Sequence, residues 1–371
     1  MSVQYVKLGD VCAKDSSNIA QKDLKDCFGK YPVYGAGGYI QNVGFYHQED
    51  EYIAIVKDGA GVGRAMILPA KSSVIGTMQY IIPDKNKVDI HYLYYAIINM
   101  ALGKYFSGAT IPHIYFKDYQ KEIFKLPNLK IQKKIADNLK NIDLMIAKKN
   151  KQISLFNELV KSRFIEMFGE PDKNTFNWSK EKLGEHLDVV NGFAFKSEGF
   201  TDIGIPVLRI GNINSGTFKA TNMVFWPNDA TLFRYKIYPG DLVISLTGTV
   251  GKDDYGNVCI LGTEYKEYYL NQRNAKLDIK NTINKYYLSQ ILKFNEIKNQ
   301  LTGISRGVRQ ANISIKDILS LSVPIPPIEL QDKFADFVKQ TDKSKFVNYK
   351  CLQTVANIYR QEWMRCQTSN F

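Results

Sequence analysis

The feature that most restricts what this chain can fold into is an internal repeat. "HIYFKDYQKEIFKLPNLKIQKKIADNLKNID" (113–143) lies over "NISIKDILSLSVPIPPIELQDKFADFVKQTD" (312–342) without a gap, at one constant offset. Lys117, Asp118, Pro127, Gln132, Lys134, Ala136, Asp137, Lys140 and Asp143 all recur as identities. Shorter matches keep the same order along the chain. They are "VKLGDV" (6–11) with "EKLGEH" (181–186), "YPVYG" (31–35) with "IPVLR" (205–209), "GAGVG" (59–63) with "TGTVG" (247–251), and "HYLYYAI" (91–97) with "KYYLSQI" (285–291). One module present twice must fold twice, which excludes architectures built on a single undivided core.

Each copy has a mixed part followed by a helical part. Short Tyr/Ile/Val-rich runs bounded by Gly and Pro read as strands. "IHYLYYAIINMALGKY" and "TINKYYLSQILKFNEIKNQL" read as helices from their apolar spacing. The mixed parts are therefore α/β and have the size of ordinary domains. The expected division is 1–130, 131–170, 171–326 and 327–371.

The helical part of the first copy carries the clearest periodicity. Leu139, Ile146, Ile153, Val160 and Met167 recur every seven residues, and Ile135, Ile142 and Phe156 fill the second seam position, interrupted by Lys149 and Arg163. That is a heptad stripe over about four repeats, the mark of a coiled-coil helix. Gly169 and Pro171 stop it. The second stripe, with Phe334, Val338, Leu352, Val355 and Tyr359, is broken by Thr341, Lys345, Asn348 and Glu362. A good stripe and a poor one predict that the two helices cover each other, with polar seam positions left over for a partner chain.

"SLTGTVGK" (245–252) tests the chain for a nucleotide site. The template G-x-x-x-x-G-K-[ST] finds its last glycine and lysine in Gly251 and Lys252, but Leu246 stands where the first glycine belongs and Asp253 where the metal-binding hydroxyl belongs. The recurrence of the loop as "KDGAGVGR" (57–64) reads instead as a tight turn of the repeated module. Lys252 and Arg64, each one residue past the turn, are candidates for contact with a phosphate.

Other chemistry is thin. His47, His91, His113 and His186 stand without partners at ligand spacing, so no metal site is expected. Cys12, Cys27, Cys259, Cys351 and Cys366 form no C-x₂-C pair, which fits a reduced, cytoplasmic protein. No apolar run approaches membrane-spanning length. Asp241 with Glu264 and Lys266 is the nearest approach to a nuclease triple, and the first copy has no equivalent. "YGAGGY" (34–39) lacks the Asn/Asp-Pro-Pro-aromatic element of a methyltransferase. The chain reads as non-catalytic.

What it offers is charge and polar loops. The net charge is +12, with 23 Lys+Arg against 17 Asp+Glu up to residue 170 and 26 against 20 after it. A basic excess shared by both copies favours a polyanionic partner, chiefly nucleic acid. "SGATIPH" (107–113) precedes an expected "IYFKD" strand, "TGISRGVRQAN" (302–312) precedes an expected "ISIKD" strand, and "LNQRNAK" (270–276) is a third such loop. Arg, Asn and Gln are the side chains that read base edges. The candidates are Gln272, Arg273, Arg306, Arg309, Gln310 and Asn312 in copy two and Thr110 and His113 in copy one, with Lys104 and Lys117 for phosphate. Matching flanks with divergent tips fit two readers of two different sequences.

At these residues the chain resembles the DNA specificity subunits of type I restriction-modification systems. The carriers are "KLGD" opening the chain, "SGATIPHIYFKD", "GISRGVRQANISIKD", "PIPPIELQDKFADFV" and the joining "FIEMFGEPDKNTFNW". "KLPNLKIQ" in copy one departs from the proline-rich form. The resemblance implies two target recognition domains, each reading half of a split double-stranded DNA site, with two long antiparallel helices as a ruler between them. It implies adenine methyltransferase subunits and ATP-driven restriction subunits as partners. S-adenosylmethionine, ATP and Mg²⁺ would then belong to those partners, and none to this chain. A nucleoid-associated place in the cytoplasm follows. The rival readings are a specificity-like subunit of another methylation-based defence system, a stand-alone nuclease or nucleotide hydrolase using Asp241, Glu264 and Lys252, and a structural adaptor.

Overall fold

A computed structural model describes residues 4–108, 111–213, 216–303 and 310–368. The chain forms two compact units: the residues up to Asn150 with those from Tyr349 on, and Lys151–Asn348.

In the first unit the central strand Tyr52–Val56 is buried along its whole length. Its alternation sorts side chains to two faces. Ile53 and Ile55 face a cluster with Tyr92, Leu93 and Ala96 of helix Ile90–Asn99, and Tyr52, Ala54 and Val56 face another with Met78 and Tyr80. Each Ile, Leu, Val or Met side chain among them contributes roughly 1.5–3 kcal/mol on burial. The strand is flanked antiparallel by Ala65–Leu68 and Met78–Pro83, and Cys12–Ser16 pairs with the latter. A second sheet joins Tyr31–Gly35 antiparallel to Gly38–Val43 and parallel to Ser73–Val74. Gln4–Lys7 pairs with Ile123–Leu126 and so brings the start of the domain to its end.

The second unit repeats this plan. Leu242–Ser245 is the central strand between Val258–Ile260 and Asn274–Ile279, with Leu187–Asn191 outside the latter. Ile205–Leu208 pairs antiparallel with Val224–Trp226 and parallel with Tyr268–Leu270. Lys180–Lys182 meets Ser322–Pro324. Even single hydrogen bonds recur. Tyr92 Oη donates to the Lys125 carbonyl at 2.6 Å, and Tyr287 Oη to the Pro324 carbonyl at 2.6 Å. The duplication read from the sequence is thus a duplication of structure.

Three details of the sequence alignment are corrected. Tyr92 matches Tyr287, so the "HYLYYAI" register moves by one residue. "IYFKD" and "ISIKD" are not strands: Phe116–Tyr119 and Ile315–Ser320 are short helices. Ser314 Oγ accepts from the Asp317 N–H while Asp317 returns a bond to the Ser314 N–H, a capping box that starts a helix where β-branched residues suggest a strand. The third concerns the glycine turns. The Val56 N–H donates to the Arg64 carbonyl and the Gly63 N–H to the Val56 carbonyl; in copy two the same pair runs Ser245 to Asn257 and Gly256 to Ser245. Arg64 therefore matches Asn257, not Lys252, because the copy-two turn is longer.

The long helices are Leu129–Phe168 and Ile328–Thr368. Ile135, Leu139, Ile142, Ile153 and Val160 are buried, and Ile146 and Phe156 are partly so. In the second helix Phe334, Val338 and Val355 are buried and Leu352 and Tyr359 are partly buried. In the first unit Ile135, Leu139 and Ile142 share a cluster with Val355, on which Tyr359 packs. In the second, Val160, Phe164 and Phe168 share one with Phe334 and Val338. At the end of the first helix the apolar stripe shifts from Arg163 and Met167 to Phe164 and Phe168, because the domain core supplies Tyr287 and Phe294 at 5.3 and 5.1 Å from the Phe164 ring. Gly169 then takes φ +80°, and the Trp178 indole N–H caps the Phe168 carbonyl at 3.0 Å. Thr341 and Asn348 are not left open for a partner. Both are buried, and their polar atoms bond the Phe337 and Ser344 carbonyls of their own helix.

Candidate nucleic-acid interface

In copy two, three segments far apart in sequence converge on Leu246. Its N–H donates to the Arg273 carbonyl at 2.8 Å, and its carbonyl accepts from the Ile313 N–H at 2.8 Å. Strand Thr247–Thr249 then pairs with Gln310–Asn312. The glycine turn, the "LNQRNAK" turn and the described end of the divergent loop, residues 310–312, separate features in the sequence, meet at one place. Gln272, Arg273 and Asn312 are all exposed there. Gln310 takes part through its backbone pairing with Thr249. Arg306 and Arg309 lie outside the described residues.

Copy one builds the same junction around Lys57. Its N–H donates to the Thr77 carbonyl at 3.0 Å, and its carbonyl accepts from the Ile114 N–H at 3.0 Å. Asp58 bridges to His113 as Thr247 pairs with Asn312. Reciprocal backbone bonds between Ser107 and His113, both 2.9 Å, close the loop between them. Thr110 lies outside the described residues. This register reveals what the sequence comparison missed: Gly76 and Thr77 stand where Gln272 and Arg273 stand in copy two. The signal was the strand following each turn, Met78–Pro83 and Asn274–Ile279, but no side chains are shared between the two turns to disclose it.

The individual candidates differ in how free they are. Lys252 is exposed, beyond a turn closed by the Lys252 N–H donating to the Thr249 carbonyl at 3.0 Å. Lys117 is exposed, with its ammonium 5.2 Å from the Tyr115 ring centre. Lys104 is paired with Glu122, which also accepts from Tyr105 Oη at 2.6 Å. Burial pushes the Glu122 carboxyl up, but Lys104 and Tyr105 outweigh it and hold it below the usual carboxylate range. Arg64 donates to the Ala36 carbonyl at 3.1 Å and to that of Gly61 at 3.4 Å, so it braces its own turn. His113 is tied to Asp58, and its ring lies 4.2 Å from that of Tyr115. Around this loop Phe106, Ile111 and Tyr115 are 59, 63 and 48% exposed. Copy one therefore surrounds its junction with exposed apolar groups, whereas copy two presents amides and a guanidinium at its own.

The glycines of the turns act locally. A Cβ on Gly63, at φ +86°, would lie 2.4 Å from the Gly103 nitrogen. The backbone brought close is the chain's own. No phosphate cradle forms at Gly251-Lys252, which follows a strand and opens no helix. Asp253 is bound by the buried Lys298, which also donates to Asn257 Oδ1 at 2.7 Å. The acidic triple is likewise committed: Asp241 pairs with Lys276 at 3.2 Å and accepts from the Tyr238 N–H at 2.8 Å, while Glu264 and Lys266 are exposed. Among the described residues one group could present three metal-ligand atoms, Glu181, Glu185 and His186. Both imidazole nitrogens are already engaged there, by Thr282 at 2.8 Å and Glu181 at 2.9 Å. Among the same residues no helix is long and apolar enough to cross a membrane.

Two look-alike α/β modules thus carry matched backbone junctions that present different side chains. The chain belongs to the type I restriction modification DNA specificity domain family, whose model matches residues 2–155 and 176–354. It is similar to the type I restriction enzyme MjaVIII specificity subunit of Methanocaldococcus jannaschii, with 27% identity over 347 residues, 86% of this chain and 80% of that one. It is 30% identical over 185 residues to the EcoAI specificity subunit of Escherichia coli, covering 48% of this chain and 31% of that one. The fold is similar to the crystal structure of the S subunit of a type I restriction-modification system from M. genitalium, with a TM-score of 0.59 and 16% identity over 100% of this chain and 97% of that one.

Proposed function

We propose that the chain is the non-catalytic DNA-reading subunit of a type I restriction-modification complex, and that each unit reads one half of a bipartite site. The observation that carries this reading is the pair of junctions at Lys57 and Leu246. They share their hydrogen bonds and differ in the side chains they present. Scaffold identity with tip divergence is what two readers of different base sequences need. Arg273, Gln272 and Asn312 suit hydrogen-bonded readout of purines in the major groove. The apolar tip of copy one suits contact with thymine methyl groups. The exposed Lys252 and Lys117 suit phosphate. Lys104, Arg64 and His113 are better placed as internal braces.

On this reading the two long helices form an antiparallel coiled coil that separates the recognition domains 1–130 and 171–326 and docks two adenine methyltransferase subunits, with restriction subunits joining for cleavage. S-adenosylmethionine, ATP and Mg²⁺ act in those partners. The experiment is a domain exchange. Replacing residues 1–130 with the corresponding segment of a relative should change one half-site and leave the other and the spacer intact. A change in both half-sites together would end the modular reading.

A further inference from the structure

Each long helix begins with a glutamine that no account of base reading requires. Gln132 and Gln331 are both 0% exposed, one in the first turn of each helix. Gln132 Oε1 accepts from the Asp89 N–H at 2.8 Å, and its Nε2 donates to the carbonyls of Pro127 at 2.7 Å and Lys87 at 3.0 Å. Gln331 Oε1 accepts from the Asn284 N–H at 2.8 Å, and its Nε2 donates to the Pro326 carbonyl at 2.7 Å. Asp89 and Asn284 are the N-caps of Ile90–Asn99 and Lys285–Ile291, the helices packed on each central sheet. Pro127 and Pro326 lie in the links that lead from each closing strand into each long helix.

One amide thus ties three parts of its own unit together: the body, the link and the long helix. Gln132 uses both amide donors and its acceptor, and Gln331 is held at both its oxygen and its nitrogen; a flipped amide at either place would leave polar groups unpaired in a dry site. The same arrangement occurs in both copies, although the links "KLPNLKIQ" and "PIPPIELQ" differ around it. We propose that Gln132 and Gln331 are positioning residues that fix the angle at which each helix leaves its recognition domain, and so restrict the spacer lengths the protein accepts. This rests on the bipartite reading above. Neither residue reads a base.

The test uses the full chain with its methyltransferase subunits and a plasmid library that carries both half-sites at every spacer length near the native one. Methylation of each spacer is read out by sequencing. In Gln132→Met and Gln331→Met the preference for the native spacer over spacers one base pair longer or shorter should fall by about tenfold, the worth of one buried polar group left unpaired. Base preferences within each half-site should not change. Gln152→Leu, at an exposed position of the same helix, should alter neither. Gln132→Glu, which keeps the acceptor for Asp89, replaces the apolar variant where that one does not fold; failure of both to fold would overturn the proposal by making the amide a folding element. Folded variants that keep the wild-type spacer preference would overturn the joint and leave the bipartite reading standing. A wild-type chain with no preferred spacer would remove the bipartite reading itself.

Discussion

At the scale of residues, Arg273 and Thr77 occupy one backbone register in the two copies, so they are the pair to exchange. Arg273→Ala should cost about 1–3 kcal/mol of discrimination at one base pair of one half-site and leave the other half-site unchanged. Thr77→Arg should alter the opposite half-site alone. Binding to duplexes varied one base pair at a time checks both. Lys252 and Arg64 separate phosphate contact from bracing. Lys252→Ala should reduce the dependence of log affinity on log salt by about one unit. Arg64→Ala should leave that slope alone and lower the melting temperature, because its guanidinium holds two backbone carbonyls. The opposite pattern would show the two roles to be reversed. The copy-two tip was legible in the sequence as a polar loop, whereas the exposed Phe106, Ile111 and Tyr115 around the copy-one loop were not singled out. The convergence at each tip was not legible, because Leu246 and Lys57 gather segments through backbone groups, which carry no sequence signature.

At the scale of elements, the long helices were legible because burial follows the heptad along most of the first: Ile135, Leu139, Ile142, Ile153 and Val160 are all buried. The end of the first stripe was not, since Phe164 packs on the aromatic core of its domain, Tyr287 and Phe294, as well as on Phe334 of the second long helix. The strand assigned to "ISIKD" failed for a local reason, the capping box at Ser314, which outweighs β-propensity over so short a run; the matching helix Phe116–Tyr119 has no such cap. The stop at Gly169 was read correctly, and its cost can be measured. Gly169→Ala must hold a left-handed φ and place a Cβ 2.9 Å from that of Thr175. It should lose about 1–2 kcal/mol or more of stability, seen as a lower denaturant midpoint with DNA base preference unchanged. Adding one heptad to both long helices, ~10.5 Å, should move the preferred spacer by about three base pairs. An unchanged spacer would show that the helices are not the ruler.

At the scale of the whole molecule, the central claim is that one fold, used twice, reads two separate stretches of one duplex. On the proposed reading, the +12 charge, shared equally between the halves of the chain, supplies non-specific attraction to DNA, and the unlike tips supply the choice of sequence. The repeat made the duplication of the fold legible from the start, because an ungapped match of 31 residues at constant offset leaves little freedom for the two copies to fold differently. The bases recognised were not legible, since they depend on how each junction seats in the groove. The most direct measurement is the methylome of a host carrying the chain with its partner subunits. The account predicts a single modified motif made of two short defined half-sites separated by a fixed run of unspecified bases, one half-site altered by Thr77→Arg and the other by Arg273→Ala. A single uninterrupted motif, or one in which either substitution changes both halves, would contradict it.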